Sequence, residues 1–464
     1  MTTTETPPAP GGAAGAAGAA PGSLLRLATA GSVDDGKSTL VGRLLFDSKS
    51  VLRDQLAAVE RVSLERGLTG ADLALLTDGL RAEREQGITI DVAYRYFTTP
   101  RRSFILADCP GHVQYTRNTV TGASTADVVV LLVDARRGVV EQTRRHLAVA
   151  ALLGVPHVVV AVNKIDLVGF SAEVYARTAE RIERVAAALG VADVRSLPTC
   201  AVAGDNVVKR SARTPFYDGP ALLELLESLP AGPNGPARAD HALRLPVQLV
   251  IRPQGAAPEG LGEYRGYAGR IGAGAVGVGD EVVVLPSGRR TTVTGITLGA
   301  RPVPAARAGQ SVALELADDI DVARGDVIAG PHGLPPLVRE IDAHVAWLSE
   351  RPLHVRDRVL VKHGTRTVRA LAAGIEGVLD LGDLTVSPAD RLALNDIGRL
   401  RLRLAEPLPA ADYAVSRADG AFLLIDPQDG WTLAAGMVRT STTPQAPAPL
   451  GAPGTRDADA RVRA

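Results

Sequence analysis

Short apolar runs alternate with amphipathic stretches along the first half of the chain. Runs such as DVVVLLVDA, starting at Asp127, and PHVVVAVNKIDLV, starting at Pro156, have the length and β-branched content of buried strands. The stretches EQTRRHLAVAALLG and EVYARTAERIERVAAALG place apolar residues at helical spacing instead. Strands separated by helices predict an α/β domain over residues 24–229, with a mostly parallel sheet covered by helices on both faces.

The pattern changes after residue 229. Residues 230–241, with the run PAGPNGPARAD, have the composition of a linker. Beyond them, short strand-like segments such as DEVVVLP, RTTVTGI and QSVALEL are separated by glycine, proline and aspartate turns. This spacing predicts two small β-barrels, over residues 242–335 and 340–440.

The two ends of the chain have a different composition from the rest. Residues 1–23 and 441–464 are rich in alanine, glycine and proline and contain few large apolar side chains. Such segments cannot offset the entropy lost on folding, so we expect both ends to be disordered.

Composition and charge exclude several classes of protein. The chain has 464 residues, of which 46% are hydrophobic and 22% charged, as in a soluble globular protein. Its 51 basic and 51 acidic residues cancel, so no overall field favours nucleic acid or an anionic membrane as a partner. Two cysteines, Cys109 and Cys200, make neither a disulfide framework nor a zinc cluster. With no apolar run of membrane-spanning length and no signal peptide, we expect a cytoplasmic protein.

The stretch GSVDDGKST has the pattern of a phosphate-binding P-loop. It follows the apolar run LLRLATA and precedes STLVGRLL, which gives the strand before and the helix after that such a loop requires. Backbone N–H groups would surround the phosphates, Lys37 would reach the β- and γ-phosphates, and Ser38 would bind Mg²⁺. The alternative is a glycine-rich strand–helix turn with an incidental lysine. The predicted phosphate-binding residues here are Gly31, Ser32, Val33, Asp34, Asp35, Gly36, Lys37, Ser38 and Thr39.

A second phosphate-binding stretch is DCPGH, at the end of the predicted strand SFILAD. A carboxylate at Asp108 can support Mg²⁺ through water, and Gly111 can offer its amide to the γ-phosphate. By itself this stretch is a common turn, but after a P-loop the functional interpretation is favoured. His112 would then lie beside the attacking water. The predicted phosphate-binding residues of this stretch are Asp108, Cys109, Pro110, Gly111 and His112.

Guanine recognition is predicted at NKID, after the strand VVVAV. A carboxylate at Asp166 can accept both the N1 and N2 hydrogens of guanine, whereas adenine has no such donor pair. The alternative is that Asn163, Lys164 and Asp166 merely cap a helix. Thr89, in GITI, has a hydroxyl that can join the magnesium shell when the γ-phosphate is present. The preceding helix, from about Asp72 to Gln86, is a candidate switch segment or simply a core helix.

The order of these motifs, followed by two barrels, resembles the translation-factor GTPases such as elongation factor Tu. A more detailed similarity is to the large, GTP-hydrolysing subunit of bacterial sulfate adenylyltransferase. It rests on LALLTDGLRAEREQGITIDVAYRYF, GHVQYTRNTVTGAS, DARRGVVEQTRRH, AGDNVV and YRGYAG, and it extends from about Leu24 to Val438. The resemblance implies a partner, a small catalytic subunit of the ATP-pyrophosphatase type. That subunit would form adenosine 5'-phosphosulfate and pyrophosphate from ATP and sulfate, while this chain couples GTP hydrolysis to the reaction.

The resemblance also implies roles for individual residues. Lys37, Thr89 and His112 would act in catalysis, and Ser38, Thr89 and water-bound Asp108 would surround Mg²⁺. Asp34 would lie near the β–γ bridge of the nucleotide, and Val33 and Ile88 would flank His112 as an apolar gate. The predicted guanine-binding residues are Asn163, Lys164, Ile165, Asp166, Cys200 and Ala201.

Two departures from the family pattern follow from the residues present. Cys200, Ala201 and Val202 replace the usual Ser-Ala-Leu, and cysteine is a weaker hydrogen-bonding group than serine, so we expect slightly weaker guanine binding. The glycine-rich insert GAAPEGLGE before Tyr264 is expected to be a mobile barrel loop. Gly36-Lys37 is the only Gly-Lys pair, so the adenylylsulfate kinase domain of some family members, with its own P-loop, is not expected.

Two other functions share part of this pattern. A translation-factor GTPase that binds the ribosome would share the fold and chemistry, but a basic, RNA-binding surface would be expected. A regulatory module could bind GTP without hydrolysing it, although Thr89, Asp108 and His112 argue against that. Because no arginine in the chain is recognisable as a catalytic finger, we expect slow hydrolysis alone and faster hydrolysis with the small subunit.

Overall fold

The computed structural model describes residues 23–51, 53–65, 72–76, 91–112, 116–230, 241–253 and 264–440. Its contacts divide the chain into two compact units, Met1–Gly232 and Pro233–Ala464. Several predictions fall outside the described residues and stay predictions: both tails apart from Ser23, most of the linker, the glycine-rich insert, and the switch residues Ile88 and Thr89. Ser23, assigned to the disordered tail from its composition, is instead the first residue of a strand of the sheet. Of the candidate switch helix, the structure describes a 3₁₀ helix at Leu73–Leu76.

A six-stranded sheet forms the centre of the first unit. Its strand order is β2-β3-β1-β4-β5-β6, and every neighbouring pair is parallel except β2 with β3. The predicted mostly parallel sheet is therefore confirmed. The strands are β1 Ser23–Gly31, β2 Ala93–Thr98, β3 Arg102–Asp108, β4 Val128–Asp134, β5 His157–Asn163 and β6 Val194–Pro198.

Six helices accompany this sheet in the described part of the first unit. All seven residues of the central strand β4 are buried, as expected for a parallel strand covered on both faces. Each helix that follows a strand begins at the edge where the strand ends. The helices are α1 Lys37–Asp47, α2 Arg53–Glu65, α3 Thr116–Ser124, α4 Glu141–Leu152, α5 Ala172–Ala188 and α6 Leu222–Ser228.

The second unit begins with an eight-stranded antiparallel sheet. The sheet curls, because Arg244, in the strand Arg244–Pro246 at one end of the strand order, forms a bridge with Ala273. Ala273 lies just beyond the strand Gly266–Arg270, which is next to the other end of that order. It encloses a core that includes Leu245, Tyr267 and Leu314. The strands of this part of the chain, including the short pair β10 and β14, are β7 Arg244–Pro246, β8 Leu249–Ile251, β9 Gly266–Arg270, β10 Ala275–Gly277, β11 Glu281–Leu285, β12 Arg289–Leu298, β13 Arg301–Pro302, β14 Ala305–Arg307, β15 Ser311–Leu316 and β16 Val327–Ala329.

A closed six-stranded β-barrel completes the second unit. The order β19-β24-β25-β17-β23-β20 closes because β20 pairs again with β19, which leaves no free edge in the ring. Trp347, 1% exposed, lies in its core. The strands and the one short helix are β17 Leu337–Trp347, β18 Leu353–His354, β19 Arg358–His363, β20 Arg366–Leu379, β21 Val386–Ser387, β22 Arg391–Leu392, β23 Ile397–Pro409, α7 Arg417–Gly420, β24 Ala421–Ile425 and β25 Thr432–Thr440.

No helix in the described ranges is long and apolar enough to cross a membrane.

Candidate functional site

Four loops with predicted site residues meet at one edge of the six-stranded sheet. They follow β1, β3, β5 and β6, and the carboxyl ends of parallel strands lie at the same edge. The register places Thr29 of β1 opposite Asp108 of β3, and Asp134 of β4 opposite Asn163 of β5. The sheet therefore brings together motifs that are far apart in the sequence.

The P-loop wraps around the start of α1 and is held by its own residues. Gly36 precedes the helix with φ +94°, a left-handed conformation that favours glycine. The Lys37 ammonium donates to the backbone carbonyls of Gly31, at 2.9 Å, and Ser32, at 3.0 Å. The Asp35 carboxylate accepts from the Ser32 N–H at 2.8 Å, so this N–H is already used within the loop. The remaining amides at the start of α1 are positioned to meet an anion.

Lys37 is nearly enclosed, with 8% of its surface exposed. Burial lowers the pKa of its ammonium, and the nearby carboxylates of Asp108 and Asp35 oppose that shift. Burial likewise raises the pKa of the Asp35 carboxyl. The Lys37 ammonium is therefore a buried cation whose N–H groups point along the loop. It supplies positive charge of the kind that binds the phosphates of a nucleoside triphosphate.

Gly111 approaches the P-loop too closely for any side chain. A Cβ built at Gly111 would lie 2.2 Å from Nζ of Lys37 and 2.5 Å from the Gly31 carbonyl oxygen. The DCPGH stretch therefore lies directly against the P-loop, and the γ-phosphate contact of Gly111 stays a prediction. His112 follows with an exposed side chain.

Asp108 is held by a residue that sequence reasoning missed. The Thr29 hydroxyl donates to Oδ1 of Asp108 at 2.7 Å, and both residues are 2% exposed. The sequence feature that could have identified Thr29 is its hydroxyl side chain within the apolar run LLRLATA. Because a buried hydroxyl needs a partner, Thr29 fixes the rotamer of the carboxylate that is expected to face the metal water.

Asn163 connects the P-loop to the loop after β6. Its Nδ2 donates to the Asp35 carbonyl at 2.8 Å, and its Oδ1 accepts from the Ala201 N–H at 3.0 Å. The N–H of Ala201, one of the predicted guanine-binding residues, thus donates to Asn163 here. A Cβ at Gly36 would lie 2.5 Å from Nδ2 of Asn163, which explains why glycine is needed at that position.

Lys164 crosses the P-loop and is held by Asp134, a second residue that sequence reasoning missed. Its ammonium lies 3.1 Å from Oδ2 of Asp134 and donates to the Asp34 carbonyl. Burial would raise the pKa of Asp134, but hydrogen bonds from Arg136 and Lys164 outweigh it and hold the pKa at about 2. The carboxylate is therefore ionised at neutral pH and keeps Lys164 in place.

The loop after β6 is fastened to α1 by Arg43, a third residue not identified from the sequence. Its Nε donates to the Ala201 carbonyl at 3.2 Å, and its Nη2 donates to the Val202 carbonyl at 2.5 Å. The sequence around Arg43 does not distinguish it from other residues, since it is one arginine in an amphipathic helix. Its two bonds set the position of the Cys200–Val202 stretch relative to the P-loop.

Cys200 lies beside Asp166, the predicted guanine-reading carboxylate. Its buried thiol hydrogen-bonds the Asp166 side chain, and the Ala203 N–H hydrogen-bonds Cys200 in turn. Burial raises the pKa of this thiol to about 11, the bond to Ala203 lowers it, and the Asp166 carboxylate raises it again. The neutral thiol is consequently a donor that orients Asp166.

Replacing Cys200 by serine is expected to strengthen guanine nucleotide binding by about threefold. A hydroxyl is a stronger donor than a thiol, so it holds Asp166 more firmly, and one improved hydrogen bond is worth on the order of 1 kcal/mol or less. Calorimetric titration with GDP measures the change. Equal GDP affinity for Cys200→Ser and the parent would contradict this role.

The oxygen groups at the site are of the kind that Mg²⁺ prefers. The described residues contain no cluster of three or more His, Cys, Asp or Glu that could hold a metal by itself. The expected set differs from such a cluster: a hydroxyl at Ser38, a carboxylate at Asp108 acting through water, and nucleotide phosphates. Mg²⁺ commonly keeps several waters and binds through few protein groups, so these residues fit it. Thr89 lies outside the described residues.

Comparison with known proteins gives matches over both units. Residues 23–231 match the family model described as the elongation factor Tu GTP binding domain, and residues 340–439 match the GTP-eEF1A C-terminal domain-like model. The chain is 51% identical over 429 residues to the bifunctional enzyme CysN/CysC of Mycobacterium tuberculosis, covering 92% of this chain and 69% of the relative.

Two further relatives are named sulfate adenylyltransferase subunit 1. The protein from Laribacter hongkongensis is 47% identical over 90% of this chain and 85% of its own length. The protein from Chromobacterium violaceum is 46% identical over 92% of this chain and 88% of its own length. Identity at this level over nearly the whole of a relative covers the nucleotide site and the barrels together.

Proposed function

This chain belongs to the sulfate adenylyltransferase subunit 1 family, and we propose that its four-loop site binds GTP with Mg²⁺ and hydrolyses it to drive sulfate activation by a partner subunit. Family membership makes it a GTP-binding subunit of that enzyme, which acts in sulfate assimilation.

The observation that supports the nucleotide site best is the bridging role of Asn163. One side chain hydrogen-bonds the P-loop carbonyl of Asp35 and the amide of Ala201, so the phosphate end and the base end of the site form one connected structure. Asp166 follows three residues later and would read N1 and N2 of guanine, and the neighbouring Ile165 is buried. This geometry fits a purine nucleotide lying between the P-loop and Cys200.

Hydrolysis is assigned to residues around the γ-phosphate. Lys37 would stabilise charge on the β- and γ-phosphates, and the Gly111 amide would hold the γ-phosphate from the other side. His112, exposed at the end of DCPGH, would orient the attacking water, with Val33 and Ile88 as its apolar flanks. When bound, Mg²⁺ would neutralise phosphate charge between Ser38, Thr89 and water-linked Asp108.

Coupling to the partner follows from the energetics of the product. The mixed anhydride of sulfate and phosphate is formed uphill from ATP and sulfate, so hydrolysis of a second nucleotide must help to drive it. We assign adenylyl transfer to a small subunit of the ATP-pyrophosphatase type. The role of this chain is to hydrolyse GTP in step with that reaction.

GTP hydrolysis by the purified chain is expected to be slow and to accelerate when the small subunit, ATP and sulfate are all present. No arginine finger is recognisable in the chain, and supplying one in trans is worth on the order of a thousandfold in related chemistry. The assay measures phosphate release and adenosine 5'-phosphosulfate together, omitting one component at a time. Accumulation of the product without GTP, or equal hydrolysis with and without the partner, would refute the coupling.

The runner-up, a translation-type GTPase acting on the ribosome, is tested in the same assay. The relatives of this chain at the identities given above are sulfate adenylyltransferase subunits, which disfavours a function on the ribosome. Ribosomes should leave hydrolysis unchanged, and stimulation by ribosomes but not by the small subunit would support the alternative instead.

A further inference from the structure

Helix α4 contacts both phosphate-binding loops through two polar residues, Gln142 and His146, that have no role in the nucleotide contacts proposed for this site. Gln142, in the first turn and half-buried, donates from Nε2 to the Gly111 carbonyl at 3.3 Å. The same Nε2 lies 3.2 Å from Nε2 of His146, one turn further along. The His146 ring in turn hydrogen-bonds the backbone of Gly31, where the P-loop begins. A continuous chain of hydrogen bonds thus joins Gly111 to Gly31 through α4.

His146 is neutral in this position. It is 4% exposed, and burial lowers its pKa to about 3, helped by the nearby Lys37 cation and opposed by the bond to Gly31. A charged imidazole there would add a second buried cation beside Lys37. The neutral ring has one donor and one acceptor nitrogen, and both are needed in this chain.

The direction of each hydrogen bond follows from the chemistry of the groups. The Gly111 carbonyl can only accept, so the Gln142 group facing it must be the NH₂. That group has a second hydrogen, which points to Nε2 of His146 and makes this nitrogen the acceptor. The ring proton is then on the other nitrogen, free to donate to the Gly31 carbonyl. The Gly31 carbonyl thereby uses both lone pairs, one for His146 and one for Lys37 at 2.9 Å.

In this series of hydrogen bonds, the one at Gly111 has the greater consequence for the nucleotide site. The Gly111 carbonyl belongs to the same peptide plane as the N–H of His112, so the bond from Gln142 fixes how the chain leaves Gly111. Gly111 itself already lies against Lys37 and Gly31, with no room for a side chain. A small change in the backbone torsions of Gly111 would therefore alter the direction of its own N–H, which is assigned to the γ-phosphate, and the direction of His112.

We propose that Gln142 and His146 are positioning residues that tie the DCPGH stretch to the P-loop, and that this tie sets the preference of the site for GTP over GDP. The inference rests on the proposed function, since it assumes that Gly111 meets the γ-phosphate. GDP lacks that phosphate and is held by the P-loop and the base contacts alone. Loss of the tie at Gly111 should consequently weaken GTP binding and leave GDP binding unchanged.

The test is Gln142→Met, which keeps the length of the side chain and removes its hydrogen bonds. We expect the ratio of GTP to GDP affinity, measured by calorimetry with Mg²⁺ and a non-hydrolysable GTP analogue alongside GDP, to fall about fivefold, the effect of one typical hydrogen bond. The control is Glu141→Gln, at the adjacent exposed position in the same turn, where Glu141 pairs with Arg145. It should leave the ratio at the parent value.

A second variant tests whether the two residues act as one unit. His146→Leu removes the link to Gly31, and the double variant should lower the GTP to GDP ratio no further than Gln142→Met alone, because coupled groups are not additive. Thermal unfolding monitors the stability of the buried-site variant. If His146→Leu does not fold, the affinities of Gln142→Met for GTP and GDP still test the proposed positioning role.

The outcomes separate this inference from the function on which it rests. A parent protein that binds neither GTP nor GDP would refute the proposed function and this inference with it. A parent that binds both, with a Gln142→Met variant whose affinities for the two nucleotides fall equally or not at all, would overturn the positioning role alone. A selective loss of GTP affinity would support it.

Discussion

Replacing Gly111 by alanine is expected to lower GTP hydrolysis by on the order of a hundredfold or more, while GDP binding is much less affected. The added Cβ would lie 2.2 Å from Nζ of Lys37 and 2.5 Å from the Gly31 carbonyl oxygen. The lysine end could shift, but the backbone carbonyl cannot, so the DCPGH stretch must move away from the P-loop. A backbone donor aimed at developing charge is typically worth on the order of a hundredfold to a thousandfold in rate.

Single-turnover hydrolysis and separate titrations with GDP and a GTP analogue measure this effect. The control is Gly374→Ala in the closed barrel, where a Cβ would meet nothing within 4 Å. That variant should match the parent and show that exchanging glycine for alanine does no harm in itself. Parent-like hydrolysis by Gly111→Ala would mean that Gly111 does not contact the γ-phosphate.

Replacing Asp166 by asparagine is expected to change the base preference from guanine to xanthine. The carboxylate accepts two hydrogens from guanine, whereas the amide accepts one and presents its own N–H₂ to the guanine amino group. Two charge-assisted bonds are lost and one donor is left unmatched, so GTP affinity should fall on the order of a thousandfold. Xanthine has a carbonyl where guanine has the amino group, and the amide can donate to it, so XTP affinity should rise.

Competition between GTP and XTP for the purified variant measures this exchange. The Cys200 thiol that bonds the Asp166 side chain can still donate to the amide oxygen, so the local structure is expected to survive. Asp218→Asn, a change at a fully exposed aspartate 3.8 Å from Arg210, is the matched control and should keep the parent preference. A variant that still prefers GTP would show that Asp166 does not read the base.

Much of the site could be predicted because its motifs are local. The glycines and Lys37 of the P-loop are recognised by their fixed spacing after a strand. Asp166 is recognised by its position three residues after Asn163. Thr29, Asp134 and Arg43 could not be found in this way. A threonine in a strand, an aspartate at a strand end and an arginine on a helix are common, and their partners are remote in the sequence: Thr29 bonds Asp108 across 79 residues, and Arg43 bonds Ala201 across 158.

The sequence by itself determined the element types, the mostly parallel sheet followed by barrels, and the order of the phosphate and base motifs. Periodicity and glycine spacing act over a few residues, so they can be read without the fold. Only the tertiary structure decided that β1 lies between β3 and β4, and this strand order brings Asp108 to Thr29. It also placed α4 so that Gln142 and His146 join Gly111 to Gly31. Such contacts depend on how distant segments pack, which no local pattern specifies.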